Sequence, residues 1–208
     1  MNILLGGTGS VAAIKYWKLY EALRELGDVK CVLTEKAKFF ADKESPKATL
    51  GDVEMKHAII DKIRSDDLIT DQDEWNWSKI GDTVQHIQLK DWADILVIAP
   101  LSANTLAKMV NGLCDNLLTS IYRAWPIKKP IVIAPAMNTD MWEHPITHEQ
   151  LNTLRLRHKR SVDGFYSKYD NIEIVGPVSK MLACGTEGMG AMAPITDIVQ
   201  AVRKNGTI

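Results

Sequence analysis

The stretch from Asp94 to Glu143 reads D-ILVIAP-LSANTLAKMVNGLCDNLLTSIYRAW-PIKKP-IVIAP-AMNTDMWE. Two apolar runs, Ile95–Ala99 and Ile131–Ala134, each end in Ala-Pro. Each opens at once into a small or polar segment, Leu101–Thr105 after the first and Ala136–Trp142 after the second. Short β-branched apolar runs with turn chemistry on one side read as buried parallel strands. About 30 residues separate them, enough for a helical crossover. Ligands of open α/β sheets bind at the carboxyl ends of the strands. The expected site is therefore a rim made of Ser102–Thr105 and Ala136–Trp142.

Working outward, Asn2–Leu5 reads as a first strand, followed by Gly6-Gly7-Thr8-Gly9-Ser10. Ile14, Trp17, Leu19, Leu23 and Leu26 then recur at helical spacing, which predicts a helix over Val11–Leu26 stopping near Gly27. Val29–Thr34 is the next strand, and a helix is expected near Lys36–Asp42. The rest of Glu35–Trp77 is polar, carries an acidic patch (Asp66, Asp67, Asp71, Asp73, Glu74), and reads as exposed and irregular. Val84–Leu89 alternates like a short strand or extended chain. Asp140 to about Arg157 reads as helix, Ile172–Val175 as a last strand, Cys184–Met192 as a glycine-broken loop and Asp197–Lys204 as a closing helix. The alternation predicts an α/β fold of three layers: a Rossmann/flavodoxin-like open parallel sheet with helices on both faces. No repeat or linker divides it, so one domain over residues 1–208 is expected.

Composition narrows the function. The chain is 46% hydrophobic with a formal net charge of -1, and neither nucleic acid nor membrane is an expected partner. The basic run Arg155–Arg160 reads as a solvated face. The three cysteines, Cys31, Cys114 and Cys184, form no C-x-x-C pair, which fits a reducing, cytoplasmic setting rather than a disulfide framework. No apolar run reaches the roughly 18 residues a membrane span needs. The apolar start lacks a basic n-region and reads as a strand rather than a signal peptide.

Several residues carry candidate chemistry. Gly7-x-Gly9-x-x-Ala12 fits the dinucleotide pattern, and Glu35 at the end of strand two keeps NAD open. A tight βα turn also wants small residues there. Ser102 suits a helix N-cap, and the same N–H groups would serve a phosphate or a flavin edge. Asn138, among Met137, Met141 and Trp142, offers an oriented amide inside an apolar pocket, a grip for a small carboxylate. His86 is either a structural histidine or a base. Cys184, on a glycine loop, is either inert or a proton donor. No His/Cys/acid spacing suggests a metal.

These pieces together resemble the homo-oligomeric flavin-containing cysteine decarboxylase family. The matching segments are Gly9–Lys15, His86 ahead of Trp92-Ala93-Asp94, Ala99–Thr105, Gly112–Leu118, Pro135–Asn138 with Met141-Trp142, and Leu182–Gly185 through Gly190–Met192. The resemblance implies FMN as cofactor and decarboxylation of 4′-phosphopantothenoylcysteine to 4′-phosphopantetheine in coenzyme A synthesis. It implies His86 as base, Cys184 as proton donor, and Asn138, Met141, Ala183 and Met192 as substrate-binding. For FMN it implies contacts from Gly9, Ser10, Val11, Thr34, Phe40, Ser102, Ala103, Asn104, Thr105 and Ala136. A homotrimer, or a multiple of trimers, with sites at subunit boundaries is implied too. The family usually has a basic residue where this chain has Met181, with Lys180 one position earlier. Some relatives of this fold regulate protein phosphatases without catalysing anything, which is the alternative class.

Overall fold

A computed structural model describes residues 1–41, 63–159, 171–181 and 187–206. Its frame is a six-stranded sheet of β1 (Asn2–Gly7), β2 (Asp28–Leu33), β3 (Leu68–Ile69), β4 (Ile95–Leu101), β5 (Ile131–Pro135) and β6 (Ile172–Ile174). The strands run in the order β3-β2-β1-β4-β5-β6, and every pairing is parallel.

The apolar runs are continuous because the sheet is covered twice. Every residue of β4 and of β5 is buried. Their side chains alternate between two cores. Ile3, Leu5, Val97, Ala99, Val132 and Ala134 face one core, with Tyr16, Leu19 and Leu23 of α1 (Tyr16–Arg24) and Ile198 and Val202 of α9 (Ile195–Asn205). α2 (Glu35–Ala41) adds Ala37 and Ala41 to it. Leu4, Leu96, Ile98, Ile131 and Ile133 face the other core. Opposite them stand α4 (Gln85–Trp92), α5 (Ala103–Asn111), α6 (Leu117–Ala124) and α8 (Pro145–His158). The expected three layers are these.

Several local expectations are corrected. Val84–Leu89 is not extended: Gln85–Trp92 is helix, and His86 lies in its first turn. Only Leu89 of that helix is buried, so no apolar stripe announces it. Its ends are held by distant groups instead. Glu74 accepts the backbone N–H of His86 at 3.0 Å. At the other end the Lys129 ammonium donates to the carbonyls of Lys90, Asp91 and Ala93 at 2.7, 3.3 and 2.6 Å.

The expected helix over Val11–Leu26 begins as a 3-10 turn, Val11–Lys15, before α1. The expected helix from Asp140 is two, α7 (Thr139–Glu143) and α8, because Pro145 starts a new helix behind the His144 cap. β4 continues through Pro100 to Leu101 rather than stopping at the proline. The acidic patch is also less idle than its composition suggests. Asp67 accepts from the Tyr20 hydroxyl at 2.6 Å, Asp71 from the Leu117 N–H at 2.8 Å, and Asp73 from both Thr70 groups at 2.7 Å. Asp71 to Glu74 form a short helix, α3. Arg155 and Arg157 lie in the last turn of α8, where cations complement the helix dipole.

Part of the expected loop Cys184–Met192 is strand. β7 (Val178–Met181) and β8 (Glu187–Ala191) form an antiparallel pair, and residues 182–186 between them lie outside the described residues. Two glycines let this pair dock. A Cβ on Gly188 would stand 2.2 Å from the Thr139 hydroxyl oxygen, and one on Gly190 would stand 2.2 Å from the Met137 carbonyl oxygen. Met137 N–H donates to Gly190 O at 3.0 Å, so the hairpin is laced to the loop after β5.

Candidate active site

β1 and β4 are neighbours whose connections leave in opposite directions, β1 towards β2 and β4 towards β5. That is the switch point of a doubly wound sheet, where a crevice opens beyond the strand ends. Thr8 ties the two ends together. It is fully buried. Its hydroxyl donates to Pro100 O at 2.8 Å and accepts from Ser102 N at 2.7 Å, while its own N–H donates to Pro100 O at 3.1 Å. A threonine between glycines carries no sequence signal beyond turn chemistry, so only the fold reveals this role of Thr8. Exchange of Thr8 for valine leaves the buried Ser102 N–H unpaired. The expected cost is about 2 kcal/mol, or roughly 4–8 °C in Tm, with looser cofactor retention. A thermal melt and a cofactor titration check this.

The crevice holds a cleft of 460 Å³ lined by Gly9, Thr34, Glu35, Lys36, Asp71, Ser102, Asn104, Thr105, Lys108, Asp115 and Asn116. Gly9 belongs there by close approach, since an added Cβ would stand 2.7 Å from the Lys36 Cβ. Ser10, Thr34 and Ser102 all act as helix-start acceptors, from the N–H groups of Ala12, Ala37 and Thr105, each at 3.3 Å. A cap uses an oxygen lone pair, so the hydroxyl protons of Ser10 and Thr34 are not used by their caps. Lys108 pairs with Asp115 on the rim and holds its carboxyl below the usual range.

The rim loops are connected to one another. Ala136 is buried, and its N–H donates to Leu101 O at 2.9 Å. Ala103 sits at the first position of α5, and Val11 opens the first turn, 41% exposed. Phe40 is half-buried and packs edge-on against Phe39, at 5.2 Å between centroids; it is not on the cleft wall. Asn138 caps α7, its side-chain oxygen accepting from Met141 N at 2.9 Å, which orients the amide and leaves its Nδ2 hydrogens for another acceptor. The apolar pocket expected around it is not closed among the described residues, for Asn138 and Met141 are exposed and Met137 half-buried. Met192 is a core side chain, 4% exposed. Cys184 and Ala183 lie outside the described residues.

His86 does not line the cleft. Its Nδ1 is in direct contact with Glu74 Oε1, and the neighbouring loop exposes Trp75, Trp77 and Ile80 at 76%, 51% and 95%. Lys15 has its pKa lowered, first by burial and then by the charges of Lys180 and Lys18. Lys180 of the hairpin is therefore within electrostatic reach of the Val11–Lys15 turn, while Met181 is 64% exposed. A second hollow, of 420 Å³, borders edge strand β6 and α9, and none of the expected site residues lines it.

The Flavoprotein family model matches residues 1–206. The chain belongs to the Flavoprotein family. This flavoprotein is 46% identical over 203 residues to phosphopantothenoylcysteine decarboxylase of Oryza sativa subsp. japonica, covering 97% of this chain and 79% of that relative. Among solved structures it resembles a PPC decarboxylase mutant complexed with pantothenoylaminoethenethiol, with a TM-score of 0.80 and 42% identity over 98% of this chain and 96% of the other. It also resembles the FMN binding protein AtHal3, with a TM-score of 0.74 and 42% identity over 98% and 95%. The Rossmann/flavodoxin-like expectation agrees with these structures. Among the described residues of the flavoprotein no helix is long and apolar enough to cross a membrane.

Proposed function

We propose that the chain is an FMN-dependent decarboxylase of the cytoplasm that converts 4′-phosphopantothenoylcysteine to 4′-phosphopantetheine. The observation that carries this reading is the cleft at the β1/β4 switch point, lined by Gly9, Thr34, Ser102, Asn104 and Thr105. Its kinship to decarboxylases over 97% of the chain supports the reaction class, and its likeness to an FMN binding protein supports the cofactor.

The residues present fit FMN. Hydroxyls on helix starts, the N-terminal N–H groups of α5 and the Lys36 ammonium group suit a phosphate or the polar edge of a flavin. Ser10, Val11, Ala103 and Ala136 flank the same rim. When bound, FMN supplies the two-electron oxidation of the cysteine end to a thioaldehyde and returns the electrons after CO₂ has left. An ordinary aminoacyl carboxylate has no electron sink, and the thiocarbonyl provides one.

The chain's own groups do the rest. The Nδ2 hydrogens of Asn138 hold the substrate carboxylate, with Met141 and Ala183 beside the substrate. His86 takes the thiol proton: the S–H bond breaks and an N–H bond forms. Cys184 delivers a proton to carbon when the enethiol is reduced, and becomes a thiolate. Because His86 stands off this chain's cleft beside the exposed Trp75, Trp77 and Ile80, it serves the cleft of a neighbouring copy in a homotrimer or multiple of trimers.

The test is an absorbance spectrum of the purified protein, followed by mass spectrometry of its reaction with 4′-phosphopantothenoylcysteine. A flavin band and loss of CO₂ are expected. A colourless protein inert to the substrate would favour a regulatory interaction protein of the same fold, and a bound nicotinamide would overturn the cofactor.

A further inference from the structure

We propose that Glu74 is a positioning residue that fixes the tautomer of His86. The inference rests on the reading of His86 as the base and extends it to a residue outside the cleft. Glu74 grips the histidine twice. Oε2 accepts its backbone N–H at 3.0 Å, and Oε1 meets its ring Nδ1. An ionised carboxylate only accepts hydrogen bonds, so Nδ1 carries the proton, and in the neutral ring Nε2 keeps its lone pair. Nε2 is then the atom that takes the thiol proton. The carboxylate also steadies the cationic ring formed after transfer.

The grip is held in place from behind. The Glu74 side chain is 10% exposed against 26% for His86, so the acid is the more buried member. It ends α3, which is fastened at its start by the Asp71 contact to Leu117 N–H and by the Thr70/Asp73 capping box. Val84, the N-cap of α4, makes no side-chain cap bond, so Glu74 also takes over that duty. Ring direction and helix start are set by the two oxygens of one carboxylate.

The experiment uses the flavin-loaded protein, with 15N-labelled histidine read by NMR at a pH where the ring is neutral. The wild type is expected to show Nδ1–H with unprotonated Nε2. In Glu74→Gln the amide can still accept the backbone N–H, but its NH₂ faces Nδ1 and favours the opposite tautomer. There kcat is expected to fall by about 100-fold, with KM and flavin content within about twofold of wild type. A wild-type ring protonated at Nε2, or a folded Glu74→Gln protein with wild-type tautomer and kcat, overturns the proposal. The wild-type spectrum decides even if the variant does not fold. Loss of the base reading itself has a different signature: His86→Asn would turn over normally while the Nδ1–H tautomer stood.

Discussion

His86→Asn is expected to lower kcat for CO₂ release by about 1,000-fold, within the range that positioned proton transfer contributes, while the protein stays yellow. Asparagine keeps a donor in the place of Nδ1, so Glu74 is not left as an unpaired carboxylate, and helix α4 keeps its start. What asparagine lacks is a basic nitrogen at the Nε2 position. His86 is absent from the cleft wall, so the flavin-to-protein absorbance ratio should match wild type. Steady-state kinetics with the phosphorylated cysteine substrate, alongside that ratio, tests both halves. Wild-type turnover would remove the histidine from the mechanism; loss of colour would place it in cofactor binding instead.

Gly190→Ala is the second substitution of large expected effect. Gly190 is buried at φ +135, and its added Cβ would stand 2.2 Å from Met137 O and 3.3 Å from Asn138 C and O. Those neighbours are backbone, with no rotamer to give way. Strain and overpacking together are expected to cost about 3 kcal/mol. The contact nearest the clash is the Met137 N–H to Gly190 O bond at 3.0 Å. The hairpin should lift from the Asn138 loop, with turnover falling by about 100-fold or more. Limited proteolysis between β7 and β8 reports the lifting. Gly81→Ala is the control: Gly81 also has positive φ, +99, but a Cβ there meets nothing within 4 Å, so only about 1 kcal/mol of backbone strain is expected. Equal behaviour of the two variants would mean that docking of the hairpin is not what Gly190 provides.

The frame could be read from the chain because burial on both faces leaves a mark. The runs at 95–99 and 131–134 are apolar at every position since each position meets a core. The cleft residues Ser102, Asn104 and Thr105 followed from that, since strand ends locate the crevice. Helix α4 left no such mark. One buried residue, Leu89, gives no stripe, and the groups that hold its ends, Glu74 and Lys129, are 12 and 36 to 39 residues away. Local periodicity does not reach that far. Glu74 therefore counted as one more acid in a polar stretch. The hairpin was hidden for a related reason: Gly188 and Gly190 weaken a strand pattern, yet they are there because another segment of backbone comes close.

The placement of α1 and α9 also bears on how the protein is made. These helices share one apolar face, where Leu19 and Leu23 lie in one cluster with Ile198 and Val202 over Ile3, Leu5, Val97 and Val132. During synthesis the amino-terminal half emerges with that face only partly roofed. It stays open until the segment around Val202 has cleared the ribosomal tunnel, so this core closes only when α9 arrives.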